Sequence, residues 1–282
     1  MKEYTRRVFP NERDLYGSND LRLVECAFEG KEDGESALKE SSNLELVRCN
    51  MALRYPLWHC EGVRLSDCHM EETCRAPIWY SKHFVIENSE LLGVKALREC
   101  ESVKISGGSI VSPEFGWRSR KISIGDCKIE GEYPFFEARD LSLSHVSLTG
   151  KYSFQYVENM TIDSCNFATK DAFWHTKNVT VRNSVISGEY LGWYSENLTF
   201  ENCKISGTQP LCYCKGLRLI NCELDGADFA FEYSQVEADL CGSLISVKNP
   251  LSGFVTADRI DEILLTADSK RPCNCKITVR NA

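Results

Sequence analysis

The sequence lacks long apolar runs and blocks of like charge. It contains no stretch of about 18 apolar residues, and its first residues, MKEYTRRVFPNERDLYG, hold no apolar segment of the kind found in export signals. We therefore expect a chain that does not span a bilayer and that stays in the cytoplasm. The net charge is −8 and the two signs are mixed along the chain, so we also expect no nucleic-acid partner and no docking on an anionic membrane.

Several catalytic and metal-binding motifs are missing as well. There is no P-loop, no GxGxxG after a strand pattern and no nucleophile elbow. The five histidines form no HxH or HExxH pattern. Two CxC pairs, Cys212 with Cys214 and Cys273 with Cys275, differ from the CxxC spacing of zinc sites, which also need a second matching pair. We predict that the protein uses no metal and no cofactor.

The sequence does contain one phrase that returns at a fixed interval. NMTIDSCNFAT starts at Asn159, NVTVRNSVISG at Asn178 and NLTFENCKISG at Asn197, nineteen residues apart each time. We take the first apolar residue of each phrase as the anchor of one repeat. The anchor spacing is 19 from Val103 onward, and 23, 19, 21 and 19 before it. The twelve anchors are Leu21, Leu44, Val63, Phe84, Val103, Ile122, Leu141, Met160, Val179, Leu198, Leu217 and Val236.

Positions counted from the anchor alternate as in a β-strand. The residue two after the anchor is apolar, the fifth is small and the seventh is apolar again, and alternation at i, i+2 predicts strands. The small position reads Cys26, Cys49, Cys68, Ser89, Gly108, Cys127, Val146, Cys165, Ser184, Cys203, Cys222 and Cys241. The seventh position ends with Ile186, Ile205, Leu224 and Ser243. Short strands at this period bury their apolar side by coiling, with coils about 4.8 Å apart, which predicts a parallel β-helix.

Two polar positions support the same stacking. The residue two before the anchor alternates in sign through Glu158, Lys177, Glu196 and Lys215, as stacked neighbours in a sheet favour. Asparagines stand directly before the anchor at Asn159, Asn178 and Asn197, and a second set reads Asn88, Asn183, Asn202 and Asn221. Stacked amides form hydrogen bonds from coil to coil, so we predict two asparagine ladders.

The repeat also sets the expected domain organisation. No linker rich in Pro, Gly or Ser interrupts the chain, so we predict one β-helix domain over residues 1–282. Residues 1–20 lack the repeat and are expected to cap one end, because open sheet edges need cover. Regular coils are expected over 21–244, and a degraded coil with a C-terminal cap over 245–282. The fifteen cysteines are expected as reduced thiols, most of them packed inside as small hydrophobes.

Two adjacent positions carry the candidate functional residues. The residue five before the anchor is often Trp, and the next residue is too polar for a core. One reading is a surface ladder, with Glu99, Arg118 and Glu137 as a weak salt-bridge run. The other is a sugar-binding groove whose ligand-binding residues are Trp58, Trp79, Arg118, Tyr156, Trp174, Trp193 and Tyr194. Glu99, Glu137 and His175 are the candidate acid/base residues. Two coils separate Glu99 from Glu137 by about 9.6 Å, which is close to the distance between the two catalytic carboxyl groups of inverting glycosidases.

The units NVTVRNSVISG, EYLGWYSEN and LTFENCKISG resemble a bacterial family of right-handed parallel β-helix proteins of unknown function, similar in fold to the pectin-lyase-like superfamily. The resemblance covers nearly the whole chain and implies right-handed winding. It implies no activity. Polysaccharide lyases and glycoside hydrolases of the wider superfamily use clustered Asp with His, or Asp-bound calcium with Arg or Lys, and the polar position here contains no Asp.

The expected fold class is thus all-β, a single-stranded right-handed parallel β-helix of about twelve coils with a 19-residue repeat. The first functional hypothesis is a non-catalytic protein that binds or scaffolds, with an oligosaccharide as the partner. The second is a carbohydrate-active enzyme, a polysaccharide lyase or a glycoside hydrolase. A third is a structural protein that polymerises through its terminal coils. We expect a monomer or a small homo-oligomer.

Overall fold

A computed structural model describes residues 1–30, 34–266, 269 and 271–280 of the chain. The described residues form strands and turns and contain no helix. The chain divides into two compact units, Met1–Ser142 (unit 1) and Leu143–Ala282 (unit 2). In each unit successive coils pair through parallel strands, so the predicted all-β solenoid is confirmed. That the whole chain is one domain stays a prediction, and residues 281–282 of the predicted C-terminal cap lie outside the described residues.

In unit 1 the anchor-bearing strands form one parallel row, and the short strands that follow them form a second. The first row is β1 (Lys2–Thr5), β2 (Asn19–Val24), β4 (Ser42–Val47), β6 (Glu61–Ser66), β9 (Lys82–Glu87), β12 (Glu101–Ser106) and β14 (Arg120–Gly125). The second row is β3 (Ala27–Phe28), β5 (Asn50–Met51), β7 (His69–Met70), β10 (Glu90–Leu91), β13 (Ser109–Val111) and β15 (Lys128–Glu132). A separate pair is β8 (Ile78–Trp79) with β11 (Leu97–Arg98). The next strand, β16 (Arg139–Ser144), contains the boundary between the units.

Unit 2 repeats the two rows. The first row is β18 (Glu158–Asp163), β20 (Lys177–Arg182), β22 (Glu196–Glu201), β24 (Leu217–Asp225), β25 (Gln235–Cys241), β27 (Ser252–Ala257) and β29 (Lys276–Val279). The second row is β17 (Ser147–Lys151), β19 (Asn166–Lys170), β21 (Val185–Ser187) and β23 (Lys204–Ser206), and it ends on the long β24. A separate pair is β26 (Ser243–Lys248) with β28 (Arg259–Leu264).

The strand register agrees with the predicted anchors. Val103 pairs with the anchors Phe84 and Ile122 on either side, and Val179 pairs with Leu198 in unit 2. The charged position also stacks as predicted, because Arg120 Nη2 lies 2.6 Å from Glu101 Oε2. The anchor side chains, from Leu21 to Val236, are buried.

The chain makes about fourteen turns, two more than the predicted twelve. Strand β1 lies within the predicted N-terminal cap and pairs in register with β2, with Lys2 opposite the anchor Leu21. At the other end, β27 pairs with β25 and places Gly253 opposite Val236. Lys2 occupies an anchor position without an apolar side chain, which is why the apolar pattern did not reveal the first coil. The coil at Gly253 lies in the segment where a degraded coil was predicted.

Left-handed residues form the corners of the coils. In one coil of unit 2, Asp171, His175, Asn178 and Asn183 have φ of 52°, 55°, 55° and 49°, and Phe173 is also left-handed, with φ of 63°. This conformation costs an ordinary residue about 1–2 kcal/mol. The backbone N–H of His175 donates to the carbonyl of Trp193 in the following coil at 2.9 Å, and the N–H groups of Asp171 and Asn183 form similar bonds. The stacked coils therefore hold the corner conformation even where the residue type does not favour it.

A β-bulge corrects the sequence prediction near the end of the repeat. The pairing of β24 with β25 shifts between Ile220 and Cys222, so that Cys222 lies opposite Leu240 instead of Cys241. The predicted inward positions of Cys241 and Ser243 are therefore wrong, because both residues are exposed. Leu240 and Leu244 fill the core in their place.

The cysteine prediction otherwise holds. Twelve cysteines are buried free thiols, Cys241 is exposed, and Cys273 and Cys275 are partly exposed. Desolvation raises the pKa of the Cys60 thiol to about 12 and that of Cys100 to about 12, so both are neutral at pH 7. The buried Cys60 Sγ donates to the carbonyl of Leu38 at 3.2 Å. These thiols act as small core side chains with a satisfied polar atom.

Candidate functional site

Unit 2 presents a stack of aromatic rings at the corner four residues before the anchor. Tyr156, His175, Tyr194 and Tyr213 form this unit 2 aromatic ladder. Successive ring centroids lie 4.8, 5.0 and 4.7 Å apart, with interplanar angles of 5°, 7° and 13°. Tyr156 is 47% exposed and Tyr194 is 43% exposed. The ring faces cover each other, so the ladder offers the solvent its polar edges at the interval of the coils.

An inner stack of indoles lies beside this ladder. Trp174 and Trp193 stack with centroids 5.4 Å apart and planes inclined by 5°. Their Nε1–H groups donate to the carbonyls of Tyr190 and Gln209 at 2.6 and 2.7 Å. The rings of Trp193 and Tyr194 meet edge to face at 6.3 Å. Because Tyr194 is itself a left-handed corner residue, the side chains of these adjacent residues contact each other instead of pointing to opposite sides as in a strand.

His175 lies within the ladder, between two tyrosines. Burial lowers the pKa of the His175 imidazole. The ring is therefore neutral at pH 7, with one nitrogen that donates and one that accepts. A neutral imidazole stacked between phenol rings adds a polar edge to the ladder without adding charge.

Unit 1 has a different outer surface at the same corner. His59 and Tyr80 stack at 5.1 Å, and three charged residues follow them. Arg118 Nε lies 2.6 Å from Glu137 Oε2, and Arg98 Nε lies 3.6 Å from Glu99 Oε1. Arg118 comes one coil after Glu99 and one coil before Glu137. Arg118 thus follows one candidate catalytic carboxylate and precedes the other along the coils. Of the predicted salt-bridge run the Arg118–Glu137 pair is present, whereas Glu99 pairs with Arg98.

The inner stack of unit 1 combines indoles with a guanidinium. Trp58 and Trp79 stack at 5.1 Å with planes inclined by 2°. The Arg98 guanidinium lies 5.0 Å from the centroid of Trp79 and 5.3 Å from that of Trp117. Two cation–π contacts therefore join the indoles into a continuous stack. Sequence reasoning missed the role of Arg98, although its place in a column of tryptophans was a visible signal.

The predicted asparagine ladders are present. Asn178 Nδ2 donates to Asn159 Oδ1 and Asn197 Nδ2 donates to Asn178 Oδ1, both at 3.1 Å. The second set is joined by Asn202 to Asn183 at 3.3 Å and Asn221 to Asn202 at 2.8 Å. The first ladder runs parallel to the unit 2 aromatic ladder, three residues further along each coil.

The structure separates the candidate residues into two groups. Unit 1 contains Trp58, Trp79 and Arg118 with the carboxylates of Glu99 and Glu137, and unit 2 contains Tyr156, Trp174, His175, Trp193 and Tyr194. Tyr213 continues the unit 2 group and was not among the predicted binding residues. That either group binds a ligand stays a prediction.

Within the described ranges, no three or more His, Cys, Asp or Glu side chains form a group that could hold a metal ion. Nor does the described part of the chain include a helix long and apolar enough to cross a membrane.

Comparison with known proteins identifies the family and similar folds. A family model described as "Protein of unknown function (DUF3737)" matches residues 2–278. A search of curated proteins finds no match. A mutant of the periplasmic alginate epimerase AlgG is 11% identical, with a TM-score of 0.30 over 93% of this chain and 78% of that chain. The Azotobacter vinelandii mannuronan C-5 epimerase AlgE4 A-module is 8% identical, with a TM-score of 0.31 over 98% and 85%. The pentapeptide repeat protein HetL from Nostoc sp. is 12% identical, with a TM-score of 0.25 over 78% and 92%. The family match confirms the resemblance seen in the repeats: the chain belongs to the DUF3737 family of proteins of unknown function.

Proposed function

We propose that this chain is a non-catalytic binding protein that holds an extended oligosaccharide along the unit 2 aromatic ladder. The observation that carries the proposal is the row of stacked rings from Tyr156 to Tyr213, whose centroids are spaced at 4.7–5.0 Å. Tyr156 and Tyr194 are exposed, and His175 and Tyr213 are partly exposed. An extended glycan presents hydroxyl groups at a comparable interval, one set for each sugar residue. A glycan lying along the ladder would therefore meet an equivalent hydrogen-bonding group at every coil.

The ladder is held rigid before any ligand arrives. Each ring in its middle is stacked on both sides, and Trp193 supports Tyr194 from the interior. A preorganised row of polar groups loses little side-chain entropy when it binds, which favours affinity. Because the ring faces cover each other, the ligand contacts phenol hydroxyls and imidazole nitrogens and does not stack on the faces in the middle of the ladder.

The charged groups of unit 1 support binding over catalysis in this proposal. Glu137 is ion-paired with Arg118, and the Arg118 pKa is raised mainly by that hydrogen bond. A general acid in a glycosidase needs a raised pKa and access to the glycosidic oxygen. The Glu137 carboxylate is already engaged by the Arg118 guanidinium and is not free to contact a glycosidic oxygen.

Removing single hydroxyl groups tests the proposal. Tyr156→Phe and Tyr194→Phe keep the stacked rings and delete only the polar tips, while Tyr80→Phe is the matched control in unit 1, where Tyr80 is also stacked and is 39% exposed. Binding is measured by calorimetry and by tryptophan emission against a panel of neutral, amino and uronic-acid oligosaccharides. Each lost hydrogen bond is expected to weaken binding by about 2–13-fold, from a net contribution of about 0.5–1.5 kcal/mol.

Two outcomes show whether the unit 2 aromatic ladder is the binding surface. Weaker binding in both unit 2 variants, with the Tyr80→Phe variant unchanged, supports the ladder as the binding surface. No binding to any member of the panel, or equal affinity in all three variants, overturns the proposal. Chain length adds a further check, because affinity should rise until the oligosaccharide covers the four rings of the ladder.

A further inference from the structure

The first asparagine ladder of unit 2 ends at a gap. Asn159, Asn178 and Asn197 stack amide on amide, and the next corner residue is Gly216, which has the same left-handed conformation with φ of 64°. Gly216 has no side chain to continue the ladder. Because Leu217 pairs with Val236, the residue at the same position of the following coil is Gln235. Its backbone is not in the left-handed region, and its exposed side chain again ends in an amide. The amide row therefore reads Asn197, a missing member and Gln235.

The direction of the hydrogen bonds shows what the gap lacks. In this ladder each side-chain nitrogen donates to the oxygen of the preceding coil. At Gly216 no described side chain donates to Asn197 Oδ1. That oxygen lies 2.8 Å from the position that a Cβ on Gly216 would take, so a ligand N–H in this space lies within hydrogen-bond distance of it. A notch of about 280 Å³ adjoins this space and is lined by Gly216, Arg218, Gln235, Glu237, Ser252 and Gly253 together with the backbone between them. Asn197 is not part of that lining, and its Oδ1 borders the space at Gly216.

Two other glycines interrupt corner ladders in unit 1, and neither leaves the same gap. At Gly62 the nearest atoms to an added Cβ are the backbone N and Cα of Asn43, at 3.8 and 3.9 Å, and the following corner is His83. At Gly107 the oxygen of Asn88 does lean into the gap, but the following corner is Asp126, whose carboxylate only accepts hydrogen bonds. Only Gly216, of these three, has an amide on both sides.

We propose that the Gly216 notch binds the acetamido group of an N-acetylated amino sugar, whose N–H donates to Asn197 Oδ1 and whose carbonyl accepts from Gln235 Nε2. The acetamido group then takes the place of the missing ladder member. This inference rests on the proposed function and names the sugar class for it. Tyr213, at the end of the unit 2 aromatic ladder, lies three residues before Gly216 on the same coil, about 10 Å away along an extended backbone.

The surface between Tyr213 and the notch suits a sugar ring. The one outward residue between them is Lys215, whose Nζ lies 3.1 Å from Glu196 Oε1. On the far side of the notch Arg218 and Glu237 form a similar exposed pair at 3.5 Å. Both pairs offer donors and acceptors to ring hydroxyls at low cost, because exposed ion pairs contribute little to stability. A peptide amide shares the chemistry of the acetamido group, but a peptide makes no use of the hydroxyl-matching ladder beside it.

The test compares three oligosaccharides of equal length that differ in one substituent of each sugar ring. They are oligomers of N-acetylglucosamine, of glucosamine and of glucose. We expect the acetylated oligomer to bind at least tenfold more tightly than the other two. Gly216→Asn places an amide in the notch and should reduce that preference to less than twofold, while binding of the glucose oligomer through the aromatic ladder changes little. Gly62→Asn is the matched control, because it fills a corner notch that lacks the paired amides, and it should leave the preference intact.

Each outcome bears on one of the two proposals. Equal binding of all three oligosaccharides, lost in Tyr194→Phe, overturns the acetamido site and leaves the proposed function standing. Absence of binding to all three overturns both. A preference that persists in Gly216→Asn also overturns the site. An asparagine-containing peptide that competes for the notch with higher affinity than the acetylated oligomer would assign the notch to a protein ligand instead. Circular dichroism and the melting temperature of both Asn variants establish that they fold.

Discussion

Removing the middle amide of the first asparagine ladder tests the corner ladders as a source of stability. Asn178 donates one side-chain hydrogen bond and accepts another, both at 3.1 Å, and its backbone has φ of 55°. Asn178→Ala loses both bonds, which together contribute about 1–2 kcal/mol at an exposed site. It also places an alanine in the left-handed region, at a cost of about 1 kcal/mol more than for asparagine. We expect the free energy of unfolding to fall by about 2–3 kcal/mol.

Asn178→Gly separates these two contributions. Glycine loses the same two hydrogen bonds but adopts the left-handed conformation without strain, although its unfolded state has more entropy to lose. We expect a loss of about 1.5–2 kcal/mol, so that Gly is less destabilising than Ala by about 0.5–1 kcal/mol. The assay is urea unfolding of the three proteins, with the free energies taken from midpoints and slopes. If both variants lose less than about 0.5 kcal/mol, or if Ala and Gly are equal, the stabilising role assigned to the ladder and its corner is refuted.

Three further predictions concern the stack around Arg98, the titration of His175 and the strand register at Cys241. Arg98→Ala should lower the free energy of unfolding by about 2 kcal/mol, because it removes cation–π contacts on both faces of the guanidinium; Arg98→Lys, which keeps the charge but not the planar group, should recover less than half of it in urea unfolding. Since burial lowers the pKa of His175, the folded state favours the neutral ring. The corresponding stability is present above the unfolded pKa of about 6.5 and is lost as pH falls toward 5. This pH-dependent loss of stability should disappear in His175→Phe. A wild-type melting temperature that changes with pH no more than that of the variant would contradict the prediction. Among the cysteines of the described region, native-state alkylation followed by mass spectrometry should modify Cys241 first, Cys273 and Cys275 more slowly, and the buried thiols only on unfolding; protection of Cys241 would contradict the register shift.

The period of the repeat was sufficient to predict strand register over most of the chain. Each strand pairs with its equivalents one repeat away, so a spacing read from the anchors becomes a list of partners, as at Val103 and Val179. Lys2 shows where this reasoning fails. It takes an anchor position in the first coil, where β1 pairs with β2 on one side only among the described strands and the position is less enclosed. An apolar pattern cannot reveal a coil whose anchor need not be apolar.

The β-bulge between Ile220 and Cys222 could not be predicted from the pattern. The residues on both sides of it alternate acceptably in either register, and Cys241 is as small as the other members of its predicted column. The choice is decided by Leu240 and Leu244, whose side chains are almost fully buried in the observed register. Burial of two leucines contributes several kcal/mol more than burial of a thiol and a serine hydroxyl.

The corners explain why the candidate residues could be found but not oriented. Tyr194 is a poor candidate for a left-handed conformation by residue type, yet it adopts it with φ of 60°, as His175 does with φ of 55°. The strand-like alternation ends at such a residue, so the side of the coil that follows it cannot be read from periodicity. Stacking along the solenoid then turns the ring faces toward each other. The sequence shows a column of aromatic residues, but whether a ligand meets ring faces or ring edges depends on these dihedral angles.

The amide ladder joins the stability of the fold to the proposed recognition. A side-chain amide in the ladder donates to one coil and accepts from the next. Where a corner residue has no side chain, the ladder is interrupted and water or a ligand takes the hydrogen bond. At Gly216 that interruption lies beside Tyr213 and between two amides. A ligand amide bound there would form the same hydrogen bonds that hold Asn178 between Asn159 and Asn197. In the Gly216→Asn variant, the new side chain would form the hydrogen bonds that the ligand otherwise supplies. The free energy of unfolding should consequently rise by as much as the binding free energy for the acetylated sugar is weakened.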